Sequence, residues 1–121
     1  MALSWSPWIL LNTEQLQKLA PRTSGLYEIK VDNAVIDYPN GKSSMIYYGC
    51  TSEQSPTLFD TINEDWMTPD KGEIRKAWEP YGTLVWRFAV KSESQPDHLR
   101  RLESFVQRFG RTPWANPPQT D

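Results

Sequence analysis

The side chains that could do chemistry in this sequence are few, and they form no obvious catalytic pair. The only cysteine, Cys50, could act as a nucleophile, but no spacing pattern links it to the only histidine, His98. Two tyrosines are better placed. Tyr27 ends a glycine-leucine-tyrosine triplet, and Tyr47 begins a tyrosine-tyrosine-glycine triplet. Strand tyrosines usually pack in a core with the hydroxyl at its rim, so packing alone is one interpretation of both.

Glu103 is the most unusual carboxylate in the chain. It lies four residues after Leu99 and three before Val106, at the margin of an apolar stripe where desolvating a charge is costly. Two interpretations stay open, a surface ion pair with Arg100 and a ligand for a metal ion. Asn116 lies between alanine and proline, where turn formation is sufficient to explain it.

Three apolar segments have the pattern of strands. Residues 25–31, GLYEIKV, alternate in polarity and place Tyr27 on the apolar face. Residues 45–50, MIYYGC, predict a second strand that pairs with the first in an antiparallel hairpin with a long tip. Residues 83–91, TLVWRFAVK, are rich in β-branched and aromatic side chains and predict a third.

Helical patterns separate these strands. A helix is predicted from Thr13, capped by Asn12 or Thr13. A second predicted helix has one apolar stripe, and a short third helix follows it. A last helix, from about Asp97 to Phe109, is expected to bury one face. The stripe is Leu58, Ile62 and Trp66; the expected buried face of the last helix is Leu99, Leu102, Phe105, Val106 and Phe109.

These elements predict one α+β domain, a small antiparallel three-stranded sheet flanked by helices. Residues 1–121 have room for a single domain. We divide it into a leader and helix over 1–23, a core over 24–117 and a tail over 118–121 that we expect to be disordered.

Composition favours a cytoplasmic protein without a membrane segment. One cysteine indicates a reducing compartment, and no apolar run approaches the roughly 20 residues of a bilayer span. The net charge of −2 is unevenly distributed. Residues 1–70 hold four Lys and Arg against nine Asp and Glu, whereas residues 71–111 hold nine against five. The second part could therefore present a local phosphate-binding face, although ordinary solvated helices would give the same pattern.

The two triplets, Gly25-Leu26-Tyr27 and Tyr47-Tyr48-Gly49, resemble those of the GIY-YIG nuclease family. The order of elements after them is also similar to the family: two helices, a strand, a helix with a glutamate, and a loop with an asparagine. Glu103 and Asn116 occupy those last two places, and the resemblance covers roughly residues 24–117.

The resemblance implies a metal-dependent endonuclease. Tyr27 would help to activate the attacking water, Tyr47 would help to position it, Asn116 would support the site, and Glu103 would hold one Mg²⁺ or Mn²⁺ ion. Such an ion needs few protein ligands and can stabilise charge on a phosphodiester. DNA would be the substrate, and so small a nuclease would often need a second copy to cut both strands.

One feature of the family pattern is missing. Family members carry an arginine eight to ten residues beyond the second triplet, where this chain has Thr57, Leu58 and Phe59. Losing one such charge typically costs about 10²–10³ in rate. Arg75 or Lys71 could replace it.

Two further arginines, Arg100 and Arg111, are candidate phosphate contacts, whereas Arg101 and Arg108 are expected to be solvated. Three hypotheses follow: an endonuclease with a substitute cation, a catalytically degenerate binding module, and a small structural subunit with no nucleic-acid role, which would be favoured if the triplets did not end adjacent strands. The module would act through nucleic acid or through a protein partner at the acidic segment 53–70.

Overall fold

The strand Gly25–Val31 (β2) lies inside the sheet, with paired strands on both sides. The computed structural model describes residues 4–68, 76–90 and 94–116. The other strands of this sheet are Ile9–Leu10 (β1), Met45–Cys50 (β5) and Leu84–Val90 (β6). Within the described residues the four strands have the order β1-β6-β2-β5, and every neighbouring pair is antiparallel.

The α+β class is confirmed, but the prediction of three strands was wrong. The opening segment contributes β1, which pairs with β6, and Trp5 adds an isolated bridge to Ala89. The long tip between β2 and β5 contains its own two-stranded sheet, Ile36–Tyr38 (β3) paired with Gly41–Ser43 (β4). Short strands beside prolines are difficult to recognise from periodicity because they hold too few residues to alternate.

The helices agree with the predictions from sequence more closely than the strands do. Helix α1, Thr13–Leu19, begins at Asn12, whose side chain accepts a hydrogen bond from the Gln15 backbone at 2.8 Å. Helix α2, Leu58–Ile62, continues as a π-helical segment, Asn63–Met67, and a 3₁₀ turn follows at Glu79–Tyr81. The last helix, Ser94–Phe109 (α3), ends before Gly110. None of the helices described is long and apolar enough to span a bilayer.

The core confirms the stripe of α2, since Leu58, Ile62 and Trp66 are all buried. The predicted buried face of α3 was partly wrong. Phe105 is buried, but Leu99 is 55% exposed. Arg101, which we expected to be solvated, instead contacts Glu28 on β2. The buried arc of α3 therefore centres on Arg101 and Phe105, because a carboxylate on the sheet attracts the arginine.

Candidate functional site

Tyr27 and Tyr47 come together on one face of the sheet. In the antiparallel register of β2 and β5, Tyr27 lies opposite Gly49 and Ile29 opposite Tyr47, so all four share a face. The two rings are 5.7 Å apart between centroids. The predicted antiparallel pairing of the two strands that carry the triplets is therefore confirmed.

Gly49 explains how the two strands accommodate the first tyrosine. A Cβ at Gly49 would lie 2.2 Å from the Tyr27 ring, a distance that real Cβ atoms do not reach. Gly25 is similarly constrained, because its Cβ would lie 2.3 Å from the Ala89 carbonyl oxygen. Both glycines of the triplets are therefore required by backbone and ring packing.

Both tyrosine hydroxyls donate hydrogen bonds to Asp65, a residue that the sequence analysis did not single out. Tyr27 donates a hydrogen bond to Asp65 Oδ2 at 3.0 Å and Tyr47 donates to the same oxygen at 3.5 Å. The hydroxyl of Thr61 donates to it at 3.3 Å. In the sequence, Asp65 follows Thr61 by about one helical turn and adjoins Trp66, which was predicted to be buried. This spacing was the one sequence signal that Asp65 could lie near the core. We call Tyr27, Tyr47, Thr61 and Asp65 the tyrosine–aspartate cluster.

The environment keeps both phenols protonated at neutral pH. Burial raises the pKa of Tyr27 well above its ordinary value, and the charges of Tyr47 and Asp65 raise it further. Burial also raises the pKa of Tyr47, with Asp65 the next cause. A phenol whose pKa is raised donates hydrogen bonds and takes up no proton, so neither tyrosine is poised as a general base. The same causes, burial and then Asp65, raise the pKa of Cys50.

Glu103 is not brought to this cluster. Helix α3 packs on the sheet through Arg101, which pairs with Glu28, and Phe105, which contacts Tyr48. Glu28 and Tyr48 alternate with Tyr27 and Tyr47, so α3 covers the opposite face. Glu103 itself is exposed. The described residues also include no group of three or more His, Cys, Asp or Glu side chains that could hold a metal ion. Glu103, the metal ligand that the resemblance implies, therefore lies away from the two tyrosines.

Asn116 forms hydrogen bonds with the edge strand of the sheet. Its Oδ1 accepts a hydrogen bond from the Tyr48 backbone N–H and its Nδ2 donates to the Tyr48 carbonyl, both at 2.9 Å. The backbone N–H of Ala115 adds a bond to the Ile46 carbonyl at 2.9 Å. This segment therefore covers the open edge of β5, and the Asn116 amide is engaged in that contact through both its oxygen and its nitrogen.

The positively charged residues predicted to contact phosphate differ in exposure and in the contacts that they make. Arg100 is exposed and forms an ion pair with Asp97. Arg111 donates to the carbonyls of Thr112 and Asn116, and stacks on Trp114 with its guanidinium 4.0 Å from the ring centroid. Lys71 and Arg75, the proposed substitutes for the missing arginine, lie outside the described residues.

A second cluster, also missed from the sequence, lies on the α3 face of the sheet. Glu28 is fully buried and pairs with Arg87 at 2.5 Å and with Arg101. Arg101 lies between the rings of Trp5 and Tyr48, 4.5 and 4.2 Å from their centroids. The alternation of β2 suggested a solvent-facing Glu28, but an internal strand covered on both faces leaves no such side.

A groove runs between α3 and β5 on that same face. This α3 groove has a volume of about 580 Å³. It is lined by Tyr48, Asp97, Arg100, Arg101, Ser104, Phe105, Arg108 and Phe109. Another depression, of about 680 Å³, is lined by residues 10–13, 79 and 82–84, of which one, Glu79, is charged. The α3 groove is therefore the better candidate for an anionic ligand.

Comparison of this chain with protein-family models, with curated proteins and with solved structures gives no match.

Proposed function

We propose that this domain is a catalytically degenerate GIY-YIG-like binding module that binds nucleic acid along the α3 groove. The observation that carries the proposal is that the tyrosines and the clustered arginines lie on opposite faces of the sheet. The tyrosines face a carboxylate on one side, and the arginines gather with aromatic rings on the other. A phosphodiester needs cations at the reacting centre, and Arg87 and Arg101 lie on the face away from the tyrosines.

Electrostatics support the loss of cleavage. The shared oxygen of Asp65 would repel a phosphate brought to the tyrosine hydroxyls. Both hydroxyls are already used in hydrogen bonds to that oxygen. Glu103, the proposed metal ligand, faces solvent on the outer side of α3.

A protein partner at the acidic segment 53–70 has weaker support. Three of its carboxylates make internal hydrogen bonds, Asp60 with Thr57, Glu64 with Ser55, and Asp65 with the tyrosines. Asp70 lies outside the described residues. Carboxylates that cap a helix or hold a loop contribute less to an interface than a free acidic face would.

The test is a pair of assays on the same preparation. Supercoiled plasmid and single-stranded DNA are incubated with Mg²⁺ or Mn²⁺, and binding is followed by fluorescence anisotropy at two salt concentrations. We expect no cleavage, and binding that weakens as salt increases. Cleavage that disappears in Glu103→Ala would overturn the proposal in favour of an endonuclease. Absence of both cleavage and binding would contradict both functions.

A further inference from the structure

The floor of the α3 groove is aromatic and its rim is cationic. Phe105 is buried, whereas the rings of Tyr48 and Phe109 are half-buried and line the groove. Arg100 and Arg108 lie on the rim and are exposed. Its volume of about 580 Å³ lies within the usual range for ligand pockets, about 300–1,000 Å³.

The floor is held in a fixed geometry. Arg101 is anchored from below by the buried Glu28 and is stacked on Tyr48. The edge of Tyr48 packs on Phe105, with the ring planes at 87°, and Phe105 contacts Phe109 at 4.5 Å between centroids. Because these contacts exist before any ligand binds, little ordering remains for a ligand to impose.

The rim arginines are exposed and can reach phosphates in solvent. Arg100 and Arg108 are eight residues apart, which is about 12 Å along a helix. The ion pair of Arg100 with Asp97 is at the surface, where such pairs exchange partners at little cost. Arg108 lies over the Phe109 ring at 5.2 Å and keeps its charge toward solvent. Arg101, by contrast, is already committed to Glu28.

From this arrangement we propose that the α3 groove selects single-stranded over double-stranded polynucleotide, an inference that rests on the proposed binding function. Unpaired bases can stack on the ring surface of Tyr48 that Arg101 leaves uncovered, and on Phe109 once Arg108 turns from that ring to the polynucleotide backbone. Arg100 contacts the backbone beside it, as basic groups beside stacking platforms do in single-strand binding proteins. A duplex keeps its base faces stacked inside and offers only phosphates and base edges to a recessed aromatic floor.

The experiment compares one labelled strand, alone and annealed to its complement, by fluorescence anisotropy at a fixed salt concentration, with DNA and RNA versions as separate arms. We expect the single strand to bind about five-fold more tightly or better, the effect of roughly one stacked base. If DNA and RNA both bind more tightly as single strands, the unpaired base is the group that is recognised. If only one of them does so, the groove also selects at the sugar.

A matched pair of variants locates the site. Ser104→Glu adds one negative charge within the groove, and Gln17→Glu adds the same charge on α1; both positions are exposed. We expect Ser104→Glu to weaken single-strand binding about five-fold, and Gln17→Glu to leave it nearly unchanged. Equal weakening by the two would overturn the groove assignment. Equal affinity for single and double strands would overturn the selectivity while leaving the proposed function intact, and no binding to either would overturn both.

Discussion

At the scale of single residues, Asp65 decides what the tyrosine pair can do. One carboxylate oxygen receives hydrogen bonds from Tyr27, Tyr47 and Thr61. Three donors therefore converge on a single carboxylate oxygen and fix the positions of both phenols. A cation in that position would instead favour ionised phenols, which is the opposite chemistry.

The Asp65→Asn variant tests this assignment. Removing the charge should lower the pKa of Tyr27 and Tyr47, while burial, the largest cause for both, still holds them above the ordinary value. NMR titration of the tyrosine ring carbons measures the change. Asp60→Asn is the matched control, since Asp60 lies on the same helix and bonds to Thr57. Equal shifts in the two variants would contradict a direct contact.

Gly49 gives a second prediction at this scale. We expect Gly49→Ala to lower the free energy of unfolding by about 1–3 kcal/mol, because the added methyl overlaps the ring of the fully buried Tyr27. Chemical denaturation measures the loss. Pairing the change with Tyr27→Leu, which shortens the opposing side chain, should make the effect of the alanine smaller. A neutral Gly49→Ala variant would show that the strands can separate without cost.

At the scale of elements, Glu28 joins three of them. It lies on β2, and its two partners belong to β6 and α3. The stacking of Trp5 on Arg87 and Arg101 then attaches the N-terminal segment to the same cluster. One buried carboxylate therefore fixes the position of the helix that forms the groove.

We expect Glu28→Gln to lower the free energy of unfolding by about 3 kcal/mol, the lower end for a broken buried pair, because the two arginines keep some contact with solvent. Glu14→Gln is the control, since its exposed pair with Lys18 on α1 should contribute only about 0.3–0.5 kcal/mol. Urea denaturation of both variants gives the comparison. Similar small losses would mean that Glu28 is not the link between sheet and helix.

At the scale of the whole molecule, the sheet separates two clusters of polar side chains. The tyrosine–aspartate cluster lies toward α2, and the α3 groove lies on the other side. In the proposed function, nucleic acid binds on the α3 side of the sheet, and the tyrosine–aspartate cluster contributes to stability on the other side.

The buried phenols make global stability depend on alkaline pH. Their folded-state pKa values lie above the unfolded value of about 10, so the stability linked to the protonated form is complete below pH ~10 and declines as pH rises beyond it. Denaturation at a series of pH values should show this decline. Tyr47→Phe should make the decline shallower, because one titrating group is removed. An unchanged slope would assign the alkaline loss to other groups.

The sequence by itself determined the segments and the meeting of the two triplets. Periodicity located β2, β5, β6, α1 and α2, and antiparallel pairing of β2 with β5 follows from their order. Local signals such as a cap at Asn12 or an apolar stripe depend on neighbours within one or two turns. They are therefore readable without knowledge of the fold.

Only the tertiary structure decided which polar side chains meet. Asp65 reaches the tyrosines across 38 and 18 residues of chain, and Arg101 reaches Glu28 across 73. Glu103 was predicted to join the tyrosines, but the helix presents Arg101 and Phe105 to the sheet and leaves Glu103 in solvent. The face that a helix buries depends on the charge and shape of the surface it packs against. That surface exists only when distant strands have assembled, so no local pattern could reveal it.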